Sequence, residues 1–179
     1  SVKSVNMIWT VWFIGWVIAY RVGIKWLQKS QMVQPIYEDS PQQHQAKKGT
    51  PTMGGILIAL SFLVAMTIIN QWTRPIIGVV SITMIFFCIG LYDDWLSINR
   101  KKNKGLSARS KFILQVVVSL IWLIGVHHFV QPMSVIEAIW VVFLLTGTSN
   151  ATNLTDGLDG LLATLMVISL AGLLLVVHS

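Results

Sequence analysis

Two aspartates, Asp156 and Asp159, stand three residues apart in Asn153-Leu154-Thr155-Asp156-Gly157-Leu158-Asp159-Gly160, a polar string between two strongly apolar runs. A carboxylate at membrane depth costs about 2.5–3.5 kcal/mol on insertion scales, so side chains kept there have a use. At i and i+3 the two carboxylates share a face if the segment is helical. Gly157 and Gly160 permit a close backbone approach or a broken helix, tolerated at that depth where it lines a cavity. A reentrant turn with Asp caps explains the glycines and one aspartate, but not Asn153, Thr155 and both carboxylates together. A second acidic pair, Asp93-Asp94, closes the third apolar run. The macrodipole disfavours negative charge at a helix C-terminus, so this pair calls for cations or a metal beside it. Oxygen-only ligands suit Mg²⁺, which binds through one or two carboxylates plus substrate phosphates.

Basic partners for such chemistry are present. Lys47-Lys48-Gly49-Thr50-Pro51-Thr52-Met53-Gly54-Gly55 sets two lysines beside a Gly-rich helix start, whose backbone N–H groups suit a phosphate. The same string reads equally well as a helix-entry turn, with Pro51 breaking regular structure, Thr50 or Thr52 capping, and the lysines as membrane anchors. A basic loop from Arg100 to Lys111 suits anionic lipid headgroups, and Lys111, at the entrance to the next apolar run, is best placed to meet a phosphorylated substrate.

The elements that must position these groups are membrane helices. Hydrophobic residues make up 54% of the 179-residue chain and charged residues 11%, against about 25% charged in a soluble domain. Six runs approach the roughly 20 apolar residues a span needs: Val5–Ile24, Gly54–Asn70, Pro75–Tyr92, Phe112–Val130, Val135–Gly147 running on toward Ala151, and Leu158–Val177. The fold expected is an all-α, polytopic transmembrane bundle, with residues 1–179 a single integral membrane domain. The formal charge of +6 fits the positive-inside bias, and no nucleic-acid-binding motif accompanies it. Lone Cys88 excludes an intramolecular disulfide framework.

Loop charge sets orientation. Lys25, Lys29, Lys47 and Lys48 fall between spans one and two, and Arg100, Lys101, Lys102, Lys104, Arg109 and Lys111 between spans three and four. That asymmetry puts these loops in the cytoplasm, and parity puts the fifth loop, with Asp156 and Asp159, beside them. Asp93-Asp94 then ends span three on the same face. His127-His128 falls on the far side, in the fourth loop, where a solvated pair is the simpler reading than a metal site. An ion-coupled transporter would place its carboxylates near the bilayer midplane and show repeat symmetry; neither is visible here.

Three strings, Lys47 to Gly55, Gly90-Leu91-Tyr92-Asp93-Asp94, and Asn150 to Leu161, resemble the phospho-N-acetylmuramoyl-pentapeptide transferases in order, spacing and span placement. These belong to the polyprenyl-phosphate N-acetylhexosamine-1-phosphate transferases. The resemblance implies Mg²⁺-dependent transfer of phospho-MurNAc-pentapeptide from UDP-MurNAc-pentapeptide to undecaprenyl phosphate, giving lipid I and UMP. It implies work at the cytoplasmic face of the bacterial inner membrane and leaves room for a homodimer. By match to the motifs, Asp93 would be base or orienter for the lipid phosphate, with Asp94 beside it at the metal. Lys47 and Lys111 would counter diphosphate charge. Thr52, Asn153 and Asp156 would line the sugar-nucleotide cleft, and Gly157, Leu158 and Asp159 would border the uracil. Relatives using UDP-GlcNAc are the rival. The family has about ten spans, with a further metal-binding aspartate and a His-rich loop beyond the sixth. The expectation is therefore either that these residues form the N-terminal part of a longer transferase, or that they are a truncated form inactive alone. Leu162 stands where the family usually carries Ala.

Overall fold

The computed structural model of the chain describes residues 2–29, 53–69, 72–99, 105–155 and 161–178. Six α-helices make up almost all of them: α1 (Val2–Lys29), α2 (Gly55–Ile69), α3 (Arg74–Asn99), α4 (Ala108–Phe129), α5 (Val135–Thr155) and α6 (Leu161–His178). No strand occurs among the described residues, and the fold is the all-α, polytopic membrane architecture that the apolar runs predict. Four helices are long and apolar enough to cross a membrane: α3, α4, α5 and residues Met7–Lys29 of α1. At a rise of about 1.5 Å per residue, the 15 residues of α2 span less than the roughly 30 Å hydrocarbon core.

Most large apolar side chains on these helices face outward; Val135, Leu175 and Phe129 are 77%, 75% and 72% exposed. In water so much exposed apolar surface would drive association, whereas against lipid tails it costs nothing. The chain divides into two compact units, residues 1–115 and 116–179, with α4 starting in the first and ending in the second.

In the first unit α2 packs against both α1 and α3. Gly23 of α1 allows a close approach, since a Cβ there would lie 2.7 Å from Leu57 Cδ2 of α2. Small residues serve this purpose where helices cannot rely on water to drive them together. Along α3 the buried residues are Ile82, Ile89 and Leu96, one every seven positions, a single stripe down one side of the helix. This stripe explains a departure from the sequence expectation. The third span was expected to end near Tyr92, but Leu96 continues the buried line and α3 runs on to Asn99. Asp93 and Asp94 therefore lie inside the helix, more than a turn from its end, and macrodipole repulsion is not what defines their environment.

In the second unit α5 packs against α6. Helix α5 also exceeds its expected length, and Asn153, expected in a loop, is on it. The polar residues that make this run look like a poor span are satisfied by the helix itself. Thr148 Oγ1 donates to Leu144 O at 2.6 Å, Asn150 Nδ2 to Thr146 O at 2.8 Å and Thr155 Oγ1 to Ala151 O at 2.8 Å. Back-bonding of this kind lets a helix carry hydroxyls and amides at membrane depth. The His127-His128 pair lies in the last turn of α4 rather than in a loop, and His127 Nδ1 accepts the Met133 N–H at 3.0 Å. Ser134 and Glu137 then start α5 with a reciprocal capping box: Ser134 N–H donates to Glu137 Oε2 at 2.7 Å and Glu137 N–H to Ser134 Oγ at 3.3 Å.

Candidate active site

Asp93 and Asp94 are neighbours on α3, so they point about 100° apart around its axis. Each meets the start of a different helix. Asp94 Oδ2 accepts the backbone N–H of Met53 at 3.1 Å, two residues before α2. Asp93 Oδ1 accepts the N–H of Leu106 at 2.6 Å, two residues before α4. Asp93 Oδ2 takes the Lys111 ammonium at 2.9 Å from the first turn of that helix. All of these residues belong to the first unit.

Local chemistry explains why the two helices start there. Ser107 is the N-cap of α4: its Oγ accepts the Ser110 N–H at 3.1 Å and its carbonyl accepts the Lys111 N–H at 2.9 Å. With the first turn tied down, Leu106 N–H and Lys111 Nζ both reach Asp93. At the start of α2 the carbonyls of Met53 and Gly54 accept the N–H groups of Ile56 and Leu57 at 3.0 and 3.1 Å. Met53 is buried and holds a left-handed backbone, φ 64°, which is uncommon outside glycine. A backbone outlier beside a carboxylate is a sign of a site that its surroundings over-determine.

The electrostatics follow from this geometry. A helix N-terminus carries partial positive charge, so the α4 start and the Lys111 ammonium both attract the Asp93 side chain. The two side chains are 22% and 14% exposed, so their attraction is less screened than that of a surface pair. Together they make a partly buried, charge-assisted pair, with the Asp94 carboxylate beside it.

The carboxylates also suit a metal. No group of three or more His, Cys, Asp or Glu that could hold one lies together among the described residues. Asp93 and Asp94 nevertheless offer hard oxygen donors in the number Mg²⁺ takes when substrate phosphates complete its shell. Each carboxylate oxygen has two lone pairs, so the N–H bonds at Asp93 leave capacity for a cation.

Of the residues singled out from the sequence, Asp93, Asp94 and Lys111 are brought together. Asn153 lies exposed on α5 in the second unit. Lys47, Thr52, Asp156, Gly157, Leu158 and Asp159 lie outside the described residues. Three contributors are not evident from side-chain chemistry: the amides of Met53 and Leu106, and Gly105, against which Asp93 sits. The only signal for the last two is a glycine between the basic loop and the Ser107 cap.

The model of glycosyl transferase family 4 matches residues 76–179, more than half of the chain, and the chain belongs to that family. Ahead of that match, residues 47–58, which include Met53, match signature 1 of the phospho-N-acetylmuramoyl-pentapeptide-transferases. Curated relatives carry that same name. The protein from Vesicomyosocius okutanii subsp. Calyptogena okutanii (strain HA) is 36% identical over 97% of this chain and 53% of its own length. That of Francisella tularensis subsp. holarctica (strain FTNF002-00 / FTA) is 37% identical over 86% of this chain and 47% of its own. That of Desulfotalea psychrophila (strain LSv54 / DSM 12343) is 39% identical over 85% and 47%. The chain thus spans about half the length of the curated relatives it matches.

Proposed function

We propose that this chain carries part of the active site of a Mg²⁺-dependent transferase that moves phospho-MurNAc-pentapeptide from UDP-MurNAc-pentapeptide to undecaprenyl phosphate. The observation that carries the reading is the Asp93–Lys111 pair, held between the starts of α2 and α4 next to Asp94. The signature match covers one of those two helix starts. A phosphate oxygen of the lipid attacks the sugar-bearing phosphorus of the donor; the bond to the bridging oxygen breaks, and UMP leaves with that oxygen. Such a reaction needs positioning and charge neutralisation more than covalent help from the protein.

Asp93 acts as an orienter: with N–H donors on both oxygens it holds Lys111 where a phosphate can meet the ammonium. Asp93 and Asp94 would hold Mg²⁺, which when bound supplies neutralisation of the diphosphate charge. Lys47 would add a second cation, Thr52, Asn153 and Asp156 would contact the sugar nucleotide, and Gly157, Leu158 and Asp159 would border the uracil. The apolar outer faces would hold the prenyl chain. By the loop charges the site would face the cytoplasm, and by the family resemblance the membrane would be the bacterial inner membrane.

The test is UMP release from membranes containing the natural full-length protein and undecaprenyl phosphate. Turnover is expected with UDP-MurNAc-pentapeptide, none with UDP-GlcNAc, and none after chelation of Mg²⁺. Release from UDP-GlcNAc alone would move the protein to the sister branch of transferases; turnover unaffected by chelation would remove the metal from the reading.

A further inference from the structure

Gly105 stands where the chain leaves the basic loop and turns into α4. No left-handed backbone angle requires a glycine there, so conformation does not explain it. Space does. A Cβ built on Gly105 would overlap Asp93 Oδ1 and would lie 2.8 Å from the Asp93 backbone oxygen and 2.9 Å from its Cγ. Of these, the backbone oxygen cannot swing aside: it belongs to α3, and it also accepts the Ser97 hydroxyl at 3.1 Å. A side chain at position 105 would therefore push the 105–106 segment off α3 or turn the Asp93 carboxylate away.

The consequence falls on the next residue. Leu106 N–H reaches Asp93 Oδ1 at 2.6 Å because residue 105 lies flat against α3. Lys111, on the same helix start, reaches Oδ2 at 2.9 Å. Two bonds on two oxygens leave the carboxylate no freedom to rotate. We propose that Gly105 is a positioning residue for Asp93: by having no side chain it lets the Leu106 amide and the Lys111 ammonium clamp the carboxylate in one orientation. As a statement about catalysis this rests on the proposed transferase function; as a statement about the clamp it does not.

The experiment has two readouts in the natural full-length protein in its membrane. The first is labelling of Lys111 by an amine-reactive reagent, followed by mass spectrometry. Gly105→Ala should raise labelling of Lys111 several-fold, Asp93→Asn should do the same, and the double variant should show no further rise. Labelling of Lys29, already exposed, should not change, whereas general unfolding would alter the whole pattern. The second readout is UMP release. Loss of a charge-assisted bond at the reacting group predicts a fall in kcat of about 10–100-fold with KM for the donor nearly constant. If Gly105→Ala does not accumulate, Leu106→Pro deletes the amide donor, adds no atom at position 105 and carries the same expectations. Unchanged Lys111 labelling in these variants overturns the proposal. So does additive labelling in the double variant, or a raised KM at constant kcat. If the unsubstituted protein releases no UMP from any donor, the transferase reading falls while the labelling result still decides the clamp.

Discussion

Two polar clusters, one where α3 meets the starts of α2 and α4 and one where α4 gives way to α5, are built in opposite ways. The carboxylates of Asp93 and Asp94 take partners from distant parts of the chain, Leu106, Lys111 and Met53, at separations of 13, 18 and 41 residues. Around Ser134 and His127 the partners are three and six residues away. Both clusters hydrogen-bond side chains to the starts of helices, so hydrogen bonding alone does not mark a site. The difference lies in what each holds together. The local cluster only ends one helix and begins the next. The distant one brings two helix starts and a lysine onto adjacent carboxylates, an arrangement no single turn needs for its own stability. Convergence of far-apart charge, rather than polarity as such, distinguishes the candidate active site.

That contrast can be broken by substitution. The largest effect is expected at the distant cluster: Lys111→Gln or Asp93→Asn should lower UMP release by about 10²–10³-fold, the scale of losing a charge-stabilising contact in a transition state. Normal turnover in either variant would remove the pair from the chemistry. A smaller effect, on stability alone, is expected at the local cluster. Ser134→Ala removes the N-cap of α5 and should cost about 1 kcal/mol in unfolding of the detergent-solubilised protein, with kcat unaltered. A loss of turnover without a change in stability would mean that the local cluster also serves the reaction. The smallest effect is expected inside α5. Thr148→Val removes a hydroxyl bonded only within its own helix, to the carbonyls of Leu144 and Leu145, and the free energy of unfolding should stay within about 0.5 kcal/mol of the parent.

The fold was legible because its pattern is local. Each of the six apolar runs contains a helix among the described residues, and the acidic pair, the lysines and the Gly-rich string were all visible as chemistry. Helix ends were less legible. Tyr92 looks like a terminus because Asp93 and Asp94 follow it, yet Leu96 carries the buried stripe onward to Asn99. Gly147 looks like a terminus because Thr148, Ser149 and Asn150 follow it. Intrahelical bonds from Thr148 and Asn150 instead let α5 continue to Thr155. Composition records polarity but not whether a carbonyl one turn back can absorb it.

By itself, then, the sequence determined an all-α membrane protein with carboxylates and lysines in number and type suited to phosphoryl transfer. Those properties depend on residue type and on spacing within one element. Only the tertiary structure decided that Asp93 is clamped by Leu106 and Lys111, that Asp94 takes the amide of Met53, and that Gly105 must lack a side chain. The physical reason is that two of these partners are backbone amides, which every residue but proline possesses. Which of them meets a carboxylate is set by how helices pack, and the periodicity of a single segment carries no record of that.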